Sequence, residues 1–384
     1  MSTATQAGRG VWAELVGQER AVETLVRAVA GGRHAMTHAW LFTGPPGSGR
    51  SNAARAFAAA LQCPDGGCGD CRACRTALSG AHPDVTLVRT EQLSIGVDDV
   101  RELVRRAAMA PTLGRAQVIV VEDADRVTER GADALLKAIE EPAARTVWIL
   151  CAPTADDVVR TIRSRCRLLE LATPSDEAVT ALLAGRDGVP YELAAHAARV
   201  AQGHIGRARA LARSEDVRRR RAEVLRIPSA LTTLGACLQA AANVVEAAAE
   251  EASQATAEVD ARERAELSEA LGLGTKGARP RNTGALRDLE DQQKARAKRL
   301  QRDALDRVLT EFTTYYRDVL AVQTDATKRI INADLSGELT ALARRSTPDQ
   351  TLARLDAILA CREALEANVA PQLAVESLMI SLHA

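Results

Sequence analysis

The stretch AWLFTGPPGSGRSNAARAFAAALQ, residues 39–62, decides the fold. It opens on a short apolar run of strand length and closes on an Ala-rich run that favours helix. Between them GPPGSGRS, Gly44 to Ser51, is too rich in Gly and Pro to continue either. A strand that turns through glycines into a helix N-terminus aims backbone N–H groups and the positive end of the helix at one point, a cradle for phosphate. The run fits the phosphate-loop pattern GxxxxGK[ST] at Gly44, Pro45, Pro46, Gly47, Ser48, Gly49 and Ser51, with Arg50 in place of lysine. Ser51 stands where a hydroxyl would ligate magnesium, with ATP as the expected ligand. Arg50 is not a conservative change, because a planar guanidinium is larger than the compact ammonium that sits between phosphates. The alternative is a Gly-rich turn that binds nothing.

Outward from this loop, VTLVRT (85–90), QVIVVED (117–123), TVWILCA (146–152) and RLLELA (167–172) read as strands. RSNAARAFAAALQ, VDDVRELVRRAA and GADALLKAIEEP read as helices between them. Alternating β and α units predict an α/β, mainly parallel, three-layer domain over residues 1–172. At the end of the strand VIVV stand Glu122 and Asp123. Phosphate-loop ATPases place one carboxylate here to hold magnesium and the next to polarise water. Their usual order is Asp then Glu. Here it is inverted, which puts each carboxylate one methylene away from its usual reach. A solvated acidic strand end is the bland alternative.

Three short helical patterns follow over 173–222, a small helical domain with turns at Gly203 and Gly206. Residues from about 223 to 384 show helical periodicity and few strand signals. Within them, 241–270 carries eight acidic and two basic residues and 279–302 eight basic and three acidic, on either side of GLGTKGARP (272–280). Opposite charge blocks flanking a turn predict an antiparallel helical hairpin over about 241–302; a self-neutralising linker is the alternative.

The whole chain of 384 residues has 50 acidic and 50 basic side chains, so net charge offers no argument for nucleic-acid binding. It contains no apolar run of membrane-spanning length, and MSTATQAGRGVWAELVGQ has no apolar signal core. A cytoplasmic location without membrane contact is therefore expected. Cys63, Cys68, Cys71 and Cys74 form CxxxxCxxCxxC. A tight four-thiolate cluster in a large chain suggests a closed, structural zinc site; free thiols, a redox cluster or an iron–sulfur centre are the alternatives. The histidines lack a Ser or Cys partner at any motif position and read as structural or surface residues.

VGQ (16–18), GPPGSGRS, the cysteine cluster, HPDV (82–85), IGVDDVREL (95–103), ALLKAIEEP (134–142) and SRC (164–166) occur in that order. Together they resemble bacterial DNA polymerase III clamp-loader subunits, a family of AAA+ proteins. The resemblance covers about residues 11–215 and implies a RecA-like domain with a zinc module, a helical lid and an all-α collar. Arg50, Glu122 and Asp123 depart from the hydrolysing gamma/tau type, so the delta-prime type, a stator, is favoured; the alternatives are an active gamma/tau-type motor and a nucleotide-free scaffold. By resemblance Arg165 would be an arginine finger reaching a neighbour's ATP in trans. The implied partners are gamma/tau and delta subunits in a hetero-pentamer, the sliding clamp, and primed DNA through the complex. The polar sensor expected after TVWILCA falls on Ala152 and Pro153, with Thr154 one step late. In GHIGRARAL, Arg207 is the candidate for touching a γ-phosphate and Arg209 the runner-up.

Overall fold

The computed structural model describes residues 10–31, 35–90, 94–271, 283–326 and 330–383. His34, the GLGTKGARP turn and the first nine residues lie outside them. The chain divides into two compact units, Met1–Ser214 and Glu215–Ala384.

The first unit is built on five parallel strands: β1 (Ala39–Thr43), β2 (Val85–Val88), β3 (Gln117–Val121), β4 (Thr146–Ala152) and β5 (Arg167–Glu170), ordered β2-β3-β4-β1-β5. Both faces of the central strands are buried, so they read as unbroken apolar runs. Side chains alternate between two cores. Trp40, Phe42, Val118, Val120, Val147 and Ile149 face α1 (Glu19–Val29), α2 (Arg50–Gln62) and α3 (Arg72–Ser79). Ala39, Leu41, Ile119, Val121, Trp148 and Leu150 face α4 (Val97–Ala107) and α5 (Glu129–Glu140). This is the three-layer α/β arrangement expected from the strand pattern. Because all strands are parallel, the C-terminal ends of β1, β3 and β4 share one sheet edge, where such sheets bind ligands. The short α6 (Arg160–Arg163) precedes β5, and α7 (Asp176–Gly185), α8 (Tyr191–Ala201) and α9 (Ile205–Arg213) complete the unit.

Asp84 of HPDV is 1% exposed and braces this domain. Its carboxylate accepts the backbone N–H groups of Thr112, Leu113 and Gly114 at 2.6, 2.8 and 2.5 Å. Burial alone would raise its pKa, but those donors favour the charged form and hold it below the ordinary carboxylate value. Because the folded group titrates below the unfolded one, its stabilisation is complete above about pH 4 and is lost as pH falls through the lower folded value. Asp84→Ala should cost about 2–4 kcal/mol by stranding three donors, and the deficit against wild type should shrink in acid melts. A deficit independent of pH would show that the carboxylate charge is not what matters.

The second unit is all helical: α10 (Glu215–Ala230), α11 (Leu234–Ala270), α12 (Thr283–Gln323), α13 (Ser336–Arg345), α14 (Pro348–Glu366) and α15 (Pro371–His383). Phe312, Tyr315, Tyr316, Ile358 and Met379 lie in its core. Residues 215–222, read from sequence with the small helical domain, are the start of α10 in this unit. Helices α11 and α12 run antiparallel, since Asp260 and Glu263 pair with Arg296 at 2.9 and 2.8 Å while Glu251 pairs with Arg307 at 2.5 Å. The charge blocks seen in the sequence thus face each other. Between them Gln293, 3% exposed, accepts from Arg264 Nε at 2.7 Å and donates to the Asp260 carbonyl at 3.1 Å. A buried polar contact of this kind has few alternative partners and fixes helix register.

Candidate functional site

The phosphate loop links β1 to α2 at the sheet edge. Gly44, Gly47 and Gly49 have φ of 152°, 86° and 91°, a region that Cβ-bearing residues avoid. Gly49 is the N-cap of α2 and has no side chain to cap it, which leaves first-turn N–H groups for an external acceptor. Pro45 and Pro46 are exposed, and Ser51 lies in the first turn. Ser48 is 2% exposed, and a Cβ on Gly44 would lie 2.6 Å from its Oγ, so that hydroxyl is turned into the loop. Among the described residues, Ser48 Oγ and Arg50 Nη1 are buried without a partner. Two unpaired donors at one loop fit an anionic ligand.

The loop is braced from three sides. Gln18 of VGQ donates to the Ser48 and Ala172 carbonyls at 3.1 and 2.6 Å and accepts from the Ala172 N–H at 3.1 Å. Gly44 N–H donates to the Pro153 carbonyl at 3.1 Å. His204, the N-cap of α9, covers Gly47 so closely that a Cβ there would lie 2.4 Å from its ring. Burial, and then the Arg207 charge, lower the His204 pKa, so its ring is held neutral.

The inverted acid pair follows the end of β3, and its first member is already engaged. Glu122, whose side chain is 6% exposed, does not face the loop alone: Arg55 donates Nε and Nη2 to its Oε1 at 3.0 and 2.8 Å. Arg55 lies four residues after Ser51 on α2, hence on the same helix face. Arg55 belongs to no motif, and that spacing is the sequence signal that could have found it. Asp123 precedes a single turn of tight helix, Ala124–Arg126. Beneath them, burial pushes the Cys151 thiol up; the charges of Glu122, Asp123 and Asp125 act the same way and Arg50 opposes them, so these groups converge at the end of β4. Ala152 ends that strand, and Thr154 donates its N–H to Asp157 Oδ2 at 2.7 Å. No polar side chain stands at the strand end itself.

The arginines separate into distinct environments. Arg165 is 41% exposed, pairs with Glu140 at 2.6 Å and donates to the Thr161 carbonyl at 2.9 Å. Arg163 is paired with Asp156, and Arg167 bonds the Ala35 carbonyl and lies 5.0 Å over Trp40. Arg207 sits in the first turn of α9, its N–H accepted by His204 Nδ1 at 3.2 Å. Arg209 is held by Asp187 at 2.7 Å and by Glu14 at 3.5 Å, a brace between α9 and the N-terminal segment.

The four cysteines gather at the far end of α2. Their sulfurs lie within 4.8 Å of one another, with Cys63–Cys68 at 3.6 Å and Cys63–Cys71 at 3.8 Å. A tetrahedral ion with zinc–sulfur bonds near ~2.3 Å needs sulfur separations of about 3.8 Å. Backbone N–H groups of Cys68, Cys71 and Cys74 each donate at 3.4 Å to the sulfur of the preceding cysteine, which favours thiolate. Burial raises the Cys63 pKa, but the N–H donors outweigh it and bring the thiol to about 7. Burial pushes Cys74 up. The donor set and its spacing fit one divalent ion. Cys63 closes α2 and Cys71 caps α3, so the cluster joins these helices.

A family model described as DNA polymerase III, delta subunit, matches residues 17–175, and one for the C-terminal part of the DNA polymerase III delta subunit matches 292–384. The chain is similar to the delta-prime subunit of Escherichia coli (35% identity over 195 residues, 49% of this chain and 58% of that protein). It is also similar to that of Pseudomonas aeruginosa (38% over 142 residues, 35% and 43%). A gamma/tau subunit of Mycobacterium tuberculosis is 40% identical over 159 residues, 40% of this chain and 27% of that protein. The chain therefore spans between about a quarter and three fifths of these relatives' lengths. Family matches in both units, delta-prime relatives and a three-layer sheet together mean that the chain belongs to the delta-prime type of DNA polymerase III clamp-loader subunits.

Proposed function

We propose that this chain is a stator: a subunit that helps an ATP-driven loader place a sliding clamp on primed DNA in replication while hydrolysing little or no ATP itself. The observation that carries the reading is the Arg55–Glu122 pair, which ties up the carboxylate a phosphate-loop ATPase would give to magnesium. Arg165, half-exposed on the surface, is the group offered to a neighbour. A guanidinium placed against a transferring phosphoryl group stabilises the charge that develops there. Glu140 holds Arg165 until a stronger anion is presented. The partners in this reading are gamma/tau and delta subunits in a hetero-pentamer, with the helical second unit as the collar and the cytoplasm as the location. Among the described residues, no helix is long and apolar enough to cross a membrane.

Zinc on Cys63, Cys68, Cys71 and Cys74 supplies structure, with no ligand position left for water. ATP would rest on the N–H groups of Gly47–Ser51, with Arg50 as the charge partner and Arg207 the candidate from α9. The gamma/tau-type motor is a second reading, favoured by the 40% identity to a gamma/tau subunit. One reconstitution separates them. A loader assembled without this chain should fail to load clamps and recover when it is added, while the chain alone turns over ATP slowly or not at all. Loading that is indifferent to its omission, or turnover by the isolated chain at a motor's rate, would overturn the stator.

A further inference from the structure

We infer that the loop of this chain takes the phosphate chain of a nucleotide without magnesium. The inference rests on the reading of Gly44–Ser51 as an anion cradle, and it goes beyond the stator reading, which requires no nucleotide on this chain.

The cradle is present. Gly49 leaves the first turn of a thirteen-residue helix uncapped. Ser48, 2% exposed, turns an unpartnered hydroxyl into the loop, and Arg50, two residues on, carries a buried, unpartnered Nη1. Buried donors without acceptors are costly, and the oxygens of a phosphate chain would supply acceptors to them. Arg50 further supplies a charge-assisted, forked donor to that anion.

The place for the cation is taken. A divalent ion at such a loop is held by the hydroxyl at the Ser51 position and a carboxylate from the end of β3. Here that carboxylate is Glu122, and its Oε1 already receives two N–H donors from Arg55. Arg55 stands one helical turn from Ser51, so its guanidinium puts a fixed positive charge where the ion would approach. Magnesium demands near-ideal oxygen geometry and gives up its waters reluctantly, so it does not displace a bidentate arginine from a nearly buried carboxylate. Asp123 is one methylene shorter and precedes the tight turn at Ala124. The arginines together supply the neutralisation that lysine and magnesium share elsewhere.

The test is calorimetric titration of ATP into the full chain, once with magnesium and once with excess EDTA. The dissociation constants should agree within about threefold. Arg50→Ala should abolish binding in both buffers. Arg55→Ala frees Glu122 and should make binding at least about tenfold tighter with magnesium than with EDTA. Arg55→Gln serves as the second variant should the alanine chain melt early. A wild-type chain that binds ATP about tenfold tighter with magnesium, or fails to bind in either buffer, overturns the inference. So do folded Arg55 variants that stay indifferent to magnesium. Failure here leaves the stator reading intact, because clamp loading is measured with and without the chain and not through its own nucleotide. A loader that works without the chain sinks the stator and leaves the titration to stand or fall separately.

Discussion

Arg165→Ala should leave the chain folded and assembled while lowering DNA-stimulated ATP hydrolysis and clamp loading by the whole complex. The side chain is 41% exposed and its carboxylate partner, Glu140, is equally open, so its loss costs the chain itself little. In the neighbour's site the missing guanidinium would leave developing phosphoryl charge unbalanced. Arginine fingers contribute on the order of 10³-fold or more to the rate at a single site. Because the loss falls on the transition state, ATP affinity in the neighbour should change far less than turnover. Arg165→Lys should rescue poorly, since an ammonium cannot reproduce the planar fork. Arg163→Ala and Arg167→Ala are the internal comparison. The first removes a pair to an exposed Asp156, and the second strips a brace from Trp40 and Ala35. Neither should alter ATPase at matched assembly, checked by gel filtration. Unchanged hydrolysis and loading with Arg165→Ala would remove Arg165 from the mechanism.

Cys71→Ser should give the largest loss of stability. Closed thiolate sites couple roughly 10–16 kcal/mol of apparent metal affinity to folding in small modules, so losing one of four ligands should cost several kcal/mol. For a unit of this size that corresponds to a melting shift of about 10 °C or more. The effect should be felt along α2. Cys63 ends that helix, Gly67 and Gly69 pack against Val11 and Gly10, and the Val11 N–H bonds the Gly67 carbonyl at 3.1 Å. Chelation of the wild-type chain should reproduce the shift, and Cys166→Ser, remote from the cluster, should not. Elemental analysis showing less than one zinc per reduced wild-type chain would remove the site.

The second unit shows how far charge pattern alone reaches. Acidic 241–270 and basic 279–302 were legible as opposed blocks, because helix pairs place such blocks face to face. What holds the register was not. Gln293 and Arg264 look like any solvated residues in the sequence, yet Gln293 is buried and bonds across to Asp260 and Arg264. Composition says nothing about which polar residue a facing helix will cover.

By itself the sequence determined the strand–loop–helix at Gly44–Ser51, five strands of a mainly parallel sheet, and the four-thiol spacing; which strand pairs with which it did not. Each of these is local: glycines permit the turn, apolar runs of strand length need two covered faces, and close cysteines converge whatever surrounds them. Tertiary structure alone decided the partners. That Arg55 rather than an ion meets Glu122, that Gln18 ties Ser48 to Ala172 across more than a hundred residues, and that His204 lies on Gly47 all depend on which segments the sheet brings to its C-terminal edge. A side chain's charge is written in the sequence. Whether that charge is free or neutralised is set by distances of about 3 Å that only packing creates.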